Sequence, residues 1–325
     1  MEIVLEVKNL STSFATEAGR VQVLNGVNFK VPKGKTVGIV GESGCGKSVT
    51  SLSIMRLLPK PSGQVDSGEV IFKDRDLLKL PISDMYQIRG KKVSMIFQEP
   101  LTALNPVHKI GKQLGEVFEL HFPKMSQQEV WDESVRILKE VGIPEAERRM
   151  SEYPHQLSGG MRQRVVIAIA LACKPELLFA DEPTTALDVT IQAQILKLMK
   201  NLQEDIGMSI IFITHDLGVI AQLCDEVVVM YAGKVVERGP VELIFDSPKH
   251  PYTKGLLASI PRLDHPRKQT LATIEGMVPD VFNFPSGCRF HTRCPYKIEK
   301  CTEAVPPEEW IDGIREVSCI RYKEI

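Results

Sequence analysis

Residues 1–40 alternate apolar and polar positions, in Val4-Leu-Glu-Val-Lys, Val21-Gln-Val and Val27-Asn-Phe-Lys-Val31. A period of two puts successive side chains on opposite faces of a strand. Asn25-Gly26 and Pro32-Lys-Gly34 interrupt the alternation with turn residues, so the stretch predicts a meander of antiparallel strands. Thr36-Val-Gly-Ile-Val40 is a short apolar run that predicts a buried strand, and Ser48 to Leu58 predicts a helix stopped by Pro59 and Pro61.

From about residue 101 to 164 the period changes. Val130, Val135, Leu138 and Val141 fall on one face of Glu129–Val141, the spacing of an amphipathic helix, and the stretch predicts a helical insertion. The apolar runs Leu177–Ala180, Ser209–Thr214 and Val227–Met230 then alternate with predicted helices over Thr190–Asp205 and Leu217–Leu223, which suggests βαβ units and a mostly parallel sheet. Gly239-Pro240 closes that series. The remainder is rich in Pro and turn residues and has no comparable run of strands, so a separate small domain is expected from about residue 262.

At 325 residues the chain has the length of about two domains. Lys and Arg number 40 against 41 Asp and Glu, a balance that gives no reason to expect a nucleic-acid partner. Met1-Glu-Ile-Val-Leu-Glu lacks the basic and long apolar regions of a secretory signal, and no export is expected. The most apolar run, Val165 to Cys173, covers nine residues, short of the roughly 20 that span a bilayer; a membrane role would be peripheral. Of seven cysteines, Cys45, Cys173 and Cys224 are scattered, whereas Cys288, Cys294, Cys301 and Cys319 cluster near the C-terminus. In a cytosolic chain such a cluster points to metal or redox chemistry rather than disulfides.

Gly41-Glu-Ser-Gly-Cys-Gly-Lys47-Ser48 follows a predicted strand and precedes a predicted helix, the setting a phosphate-binding loop requires. Its glycines let backbone N–H groups converge on phosphate oxygens and the helix dipole adds to the attraction, so Gly41, Ser43, Gly44, Cys45, Gly46, Lys47, Ser48 and Val49 are candidate nucleotide-binding residues. Lys47 is suited to the β- and γ-phosphates and the Ser48 hydroxyl to Mg²⁺. Asp181 and Glu182 follow the apolar strand Leu177–Ala180 and so stand at its carboxyl end, where open α/β sheets bind ligands. Asp181 is suited to Mg²⁺ and Glu182 to polarising the attacking water. Ser158-Gly159-Gly160 precede the apolar helix predicted for Met161–Cys173. Ser158 can cap that helix, and the helix N-terminus can take an anion.

Leu157-Ser-Gly-Gly-Met-Arg-Gln163 resembles the signature sequence of ABC ATPases. Gln98, in Met95-Ile-Phe-Gln-Glu-Pro, resembles that family's Q-loop glutamine, which senses Mg²⁺ and water and leads into the segment that touches a membrane partner. His215, just beyond Ile213-Thr214, resembles the switch histidine that contacts the γ-phosphate. Ala186-Leu187-Asp188 matches the D-loop, and Phe14 stands where an adenine-stacking aromatic, more often Tyr, is found. The resemblance implies catalytic roles for Glu182, His215, Gln98 and Lys47, and a dimer in which the signature of one subunit covers the nucleotide of the other. Ser247-Pro-Lys-His250-Pro-Tyr252-Thr253-Lys, Ile260-Pro-Arg262 and Gly287-Cys288-Arg-Phe-His-Thr-Arg-Cys294-Pro295 resemble the C-terminal extension of oligopeptide and dipeptide importer ATPases.

Together these resemblances cover essentially the whole chain. They imply an α/β fold with a RecA-like P-loop core, an antiparallel β subdomain and a helical subdomain at about 101–164, all within an ATPase domain of residues 1–261. A small cysteine-rich domain would occupy 262–325. The implied function is ATP hydrolysis that powers peptide import, with ATP and Mg²⁺ as ligands. The implied partners are two transmembrane permease subunits, a paralogous ABC ATPase subunit (or a second copy) and, indirectly, an extracytoplasmic solute-binding protein, with no nucleic acid. The implied location is peripheral, on the cytoplasmic face of the cell membrane. Nickel or oligosaccharide cargo is an alternative, as is a soluble ABC ATPase acting on nucleic acid or ribosomes. The spacings of Cys288, Cys294, Cys301 and Cys319 are five, six and seventeen intervening residues. None is the tight knuckle that structural zinc favours, so a [4Fe–4S] cluster is expected ahead of Zn²⁺.

Overall fold

The computed structural model describes residues 2–98, 103–184, 188–260 and 273–325. The chain divides into two compact units, one of Met1–Val4, Pro32–Lys35 and Leu80–Ile211, the other of Leu5–Val31, Thr36–Lys79 and Phe212–Ile325. Residue 101, residues 186 and 187 of the D-loop, and the expected boundary at 261–262 lie outside the described residues.

The second unit holds most of an antiparallel four-stranded sheet, but not the meander expected within residues 1–40: that stretch gives the sheet two long strands, Asn25-Gly26 lies inside one of them rather than at a turn, and residues 63–76 give the other two. Its four strands run in the order Gly19–Pro32, Ile3–Thr16, Gly63–Phe72, Arg75–Asp76. The register sets Leu5 against Phe72, Val7 against Val70 and Phe14 against Gly63, with an irregularity between Lys8 and Thr12. The alternation seen in the sequence does the work expected of it: Leu5, Val7, Leu10, Val27 and Phe29 are all buried.

The same unit carries the strand Thr36–Val40, every residue of which is buried. It pairs in parallel with Glu226–Tyr231, Val37 opposite Glu226 and Val40 opposite Val229. Glu226–Tyr231 turns back antiparallel into Lys234–Pro240. A hairpin of two three-residue strands, Glu309–Ile311 and Arg315–Val317, extends this sheet, with Glu237 opposite Val317. Three residues are too few to show a period, so the sequence carries no trace of the hairpin.

In the first unit Val93–Ile96 and Leu177–Asp181 are parallel neighbours, Val93 opposite Leu177 and Ile96 opposite Ala180. Helices Ile110–His121, Gln127–Glu140, Ala146–Arg149 and Gly159–Leu171 form the helical part. Gln127–Glu140 starts at a capping box: the Glu129 N–H donates to Ser126 Oγ at 3.3 Å and the Ser126 N–H to Glu129 Oε2 at 2.7 Å. Val130, Val135, Leu138 and Val141 are buried together, as their spacing predicts. Helix Val189–Ile206 begins at Asp188, whose Oδ1 accepts the Ile191 N–H at 2.9 Å, and buries Ile195, Leu196, Met199 and Leu202. Among the described residues no helix is long and apolar enough to cross a membrane.

Candidate functional site

The loop after Thr36–Val40 is shaped by close backbone approach. Gly41 has φ +153°, and a Cβ there would stand 2.2 Å from the Met230 carbonyl oxygen and 2.7 Å from Cys45 Sγ. Gly44, at φ +79°, faces open space instead. Ser43 and Gly44 are exposed, Cys45 and Gly46 buried, and Ser48 and Val49 half-buried at the start of helix Lys47–Ile54. Cys45 is a small core residue whose thiol is pushed up by burial, and its carbonyl accepts the Gly233 N–H at 2.9 Å. Lys47 is buried, and its Nζ donates to the carbonyls of Gly41 at 2.8 Å and Glu42 at 3.2 Å. The ammonium is therefore held inside the loop, among the groups that would flank a polyphosphate.

His215 is exposed in the turn between Ser209–Ile213 and Leu217–Leu223. That turn is pinned on both sides. The Thr214 N–H donates to the Ile39 carbonyl at 3.3 Å, next to the strand that feeds the loop. Asp216 caps the following helix, its Oδ1 accepting from Gly218 N at 2.8 Å and Val219 N at 3.2 Å. Phe14 is half-buried, and a Cβ on Gly63 would stand 3.0 Å from its ring.

The first unit supplies the acids. Asp181 is the buried last residue of its strand, and Glu182 follows with φ +44°, a left-handed setting uncommon for a residue with a side chain and frequent at functional positions. Gln98, just past the parallel neighbour strand, donates Nε2–H to Glu182 Oε2 at 3.1 Å. Two residues separated by 84 positions are thus in contact. Gln163, buried in helix Gly159–Leu171, donates to the Pro183 carbonyl at 2.5 Å and so ties the signature helix to the turn that carries Glu182. Ser158 caps that helix, accepting the Met161 N–H at 3.3 Å, and Ser158 and Gly159 are exposed. Gly160 is closed in by Ile191, 3.0 Å from where its Cβ would be.

Compared with known families, residues 24–185 match the ABC transporter model and residues 236–301 match the model described as the oligopeptide/dipeptide transporter C-terminal region. A dipeptide transport ATP-binding protein of Bacillus subtilis, DppD, is 53% identical over 98% of this chain and 95% of its own. An oligopeptide transport ATP-binding protein of the same organism, OppD, is 54% identical over 93% of this chain and 84% of its own. The chain belongs to the ATP-binding subunits of the ABC peptide-transporter family. Among solved structures, a dimeric ATP-binding cassette in a post-hydrolysis state with ADP and phosphate is 28% identical, covers 73% of this chain and 98% of its own, and superposes with a TM-score of 0.65.

In this family member Cys288, Cys294, Cys301 and Cys319 line one cavity together with Phe290, Tyr296, Pro306 and Ile320. The Cys288 N–H donates to the Cys301 carbonyl at 2.9 Å. Burial pushes the Cys288 thiol up to about 11 and raises those of Cys294 and Cys319. Among the described residues no group of three or more His, Cys, Asp or Glu side chains is arranged to hold a metal ion as the side chains stand, so the expected cluster rests on the cavity the four cysteines share.

Sequence reasoning gave no role to Gln163, Thr214, Asp216, Tyr252 or Arg293. Gln163, Thr214, Tyr252 and Arg293 lie within segments quoted for their resemblance, whereas Asp216 had no signal. The contrast between two loop glycines is testable. Gly41→Ala is expected to destabilise the fold, since its methyl meets a carbonyl. Gly44→Ala is expected to cost only about 1–2 kcal/mol for the left-handed backbone while obstructing the cradle, so that nucleotide affinity falls more than the melting temperature. Thermal unfolding and ATP binding measured on both variants check this.

Proposed function

We propose that this ABC ATPase hydrolyses ATP to drive import of dipeptides or oligopeptides through a pore formed by other subunits. The observation that carries the reading is the Gln98–Glu182 hydrogen bond of 3.1 Å, which joins two residues that the motif series assigns to one reaction. Match to the C-terminal region of oligopeptide and dipeptide transporters and relatives named for dipeptide and oligopeptide transport support peptide cargo over nickel or sugar. The same match, with a net charge of −1, supports a transporter rather than an ATPase of nucleic acid or ribosomes.

The loop Gly41–Val49 would wrap the phosphates with backbone N–H groups, Lys47 would neutralise the β- and γ-phosphates, and Phe14 would stack on the base. Ser48, Asp181 and Gln98 offer the oxygen donors that Mg²⁺ prefers, and the ion would offset charge on the phosphate oxygens. Glu182 acts as the base toward water. Gln98 orients the Glu182 carboxylate with its amide N–H, and the carboxylate takes the proton of the water as its oxygen attacks the γ-phosphorus. His215 donates to the γ-phosphate. The products are ADP and phosphate.

Ser158, Gly159 and Gly160 present the N-terminus of a 13-residue helix whose first N–H groups and positive dipole end favour an anion. Within one chain Gly41–Ser48 already form a complete cradle. The signature is therefore assigned to the nucleotide of a second cassette, either a paralogous subunit or another copy. Two permease subunits, a solute-binding protein outside the cell and a peripheral seat on the cytoplasmic face complete the assembly. Residues 1–261 would be the ATPase domain and 262–325 the cysteine domain. Glu182→Gln is expected to keep ATP binding and to lower turnover ~10²–10⁴-fold, read from steady-state hydrolysis beside equilibrium binding; near-normal hydrolysis removes Glu182 from the role.

The four cysteines fit a [4Fe–4S] cluster by donor chemistry: four thiols around one largely apolar cavity, in a segment with few buried apolar residues of its own. Metal binding needs thiolates, and it would have to overcome the burial that raises the thiols of Cys288, Cys294 and Cys319. The cluster's contribution would be to staple the segment. Anaerobically purified protein is expected to contain about four irons per chain, and Cys294→Ser to lose them and become protease-sensitive within 273–325. One stoichiometric zinc and no iron would decide for the zinc alternative.

A further inference from the structure

The nucleotide loop is gripped from outside by residues far along the chain. Glu42, its second residue, donates its backbone N–H to Tyr252 Oη at 2.8 Å. Its carboxylate takes both ends of the Arg293 fork, Nη1 to Oε2 at 2.7 Å and Nη2 to Oε1 at 3.1 Å. The Glu42 carbonyl is one of the two acceptors of the Lys47 ammonium. Arg293 is fully engaged: besides Glu42, it donates Nε–H to the Glu275 carbonyl at 3.0 Å, Nη2–H to the Ile274 carbonyl at 3.1 Å and Nη1–H to Tyr231 Oη at 3.4 Å. A guanidinium has five N–H groups in a rigid fork, and each finds an acceptor.

The pair differs from an ordinary surface ion pair, which is worth little. The Arg293 side chain is only 4% exposed and that of Glu42 31%, and a bidentate fork fixes direction as well as charge. A second strut runs parallel to it. Arg289 donates to the Ala232 carbonyl, and the adjoining Gly233 N–H holds the Cys45 carbonyl of the loop at 2.9 Å. Arg289 follows Cys288 and Arg293 precedes Cys294, two residues of the cysteine cavity. The loop also has a carboxylate, Glu42, placed among groups that must receive a polyanion, and Arg293 is the cation that neutralises it.

We propose that Arg293 is a positioning residue for ATP: it neutralises Glu42 and fixes the Gly41–Glu42 backbone, making nucleotide affinity depend on the fold of the cysteine segment. The inference rests on the reading of Gly41–Ser48 as the ATP site. Without Arg293, the freed Glu42 carboxylate repels the incoming phosphates and the carbonyls that seat Lys47 lose their fixed position. No covalent or redox step is involved, and Arg293 touches no reacting atom.

The test is equilibrium binding of a fluorescent N-methylanthraniloyl ATP analogue with Mg²⁺ to the full chain, beside thermal unfolding. Arg293→Ala is expected to weaken binding about tenfold, the loss of one charge-assisted fork. Adding Glu42→Gln to it is expected to restore most of that loss, because the repelling charge is gone. A residue that only stabilised the segment would not be rescued by removing a charge from the loop. Should Arg293→Ala fail to fold, Arg293→Gln, which keeps the volume, carries the same two criteria. Unchanged affinity in the folded variant, or a double variant no better than the single one, overturns the proposal. A wild-type chain that binds no analogue overturns instead the assignment of the nucleotide site.

Discussion

The carbonyl of Met230 stands so near Gly41 that a side chain would begin 2.2 Å from it, and much of the second unit follows from that approach. It places the end of strand Glu226–Tyr231 directly behind the loop Gly41–Ser48, so the residues after Met230 become the loop's wall. Gly233 holds Cys45. The Tyr231 ring packs at 4.6 Å from Tyr252 and at 5.1 Å, edge-on, from Phe290, pair geometries that aromatic quadrupoles favour. Tyr252 reaches the Glu42 N–H. Residues of the C-terminal quarter thus complete a loop whose defining motif ends at Ser48.

A buried carboxylate keeps that wall in shape. Glu237 has no exposed surface, yet it accepts the N–H groups of Lys249 at 2.7 Å and His250 at 2.9 Å. Burial raises its affinity for a proton, while these hydrogen bonds and the nearby Arg315 act the other way. The His250 ring is fully buried and held well below its usual range, to about 3. It stays neutral and uses Nδ1 to accept the Tyr252 N–H at 3.0 Å. The His250-Pro-Tyr252 segment noted in the sequence is, in physical terms, the capped start of helix Pro251–Ala258, which aims a phenol at the loop Gly41–Ser48.

How much was legible follows the range of the interaction. The strand Thr36–Val40, the helix expected over Glu129–Val141 and found over Gln127–Glu140, and the helix Leu217–Leu223 were readable because burial on one or both faces leaves its mark on neighbouring residues. The loop and Asp181-Glu182 were readable because spacing and flanking elements belong to the motif. Contacts across long separations leave no such mark. Nothing local in Gln98 indicates that Glu182 is its partner, nor in Arg293 that Glu42 is. The hairpin Glu309–Val317 is too short to show a pattern, whereas the clustering of the four cysteines in the sequence pointed to the cavity they share.

The reading of Ser158-Gly159-Gly160 as acting on another chain's nucleotide makes each chain hold two halves of different sites. Mixing two inactive variants tests this directly. Lys47→Ala has a damaged loop and an intact signature, and Ser158→Arg the reverse. In the mixture, the intact loop of one can meet the intact signature of the other, and ATP turnover is expected to reappear although each variant alone is silent. A mixture that stays silent while the wild-type chain alone hydrolyses ATP would contradict the division of the site between two cassettes.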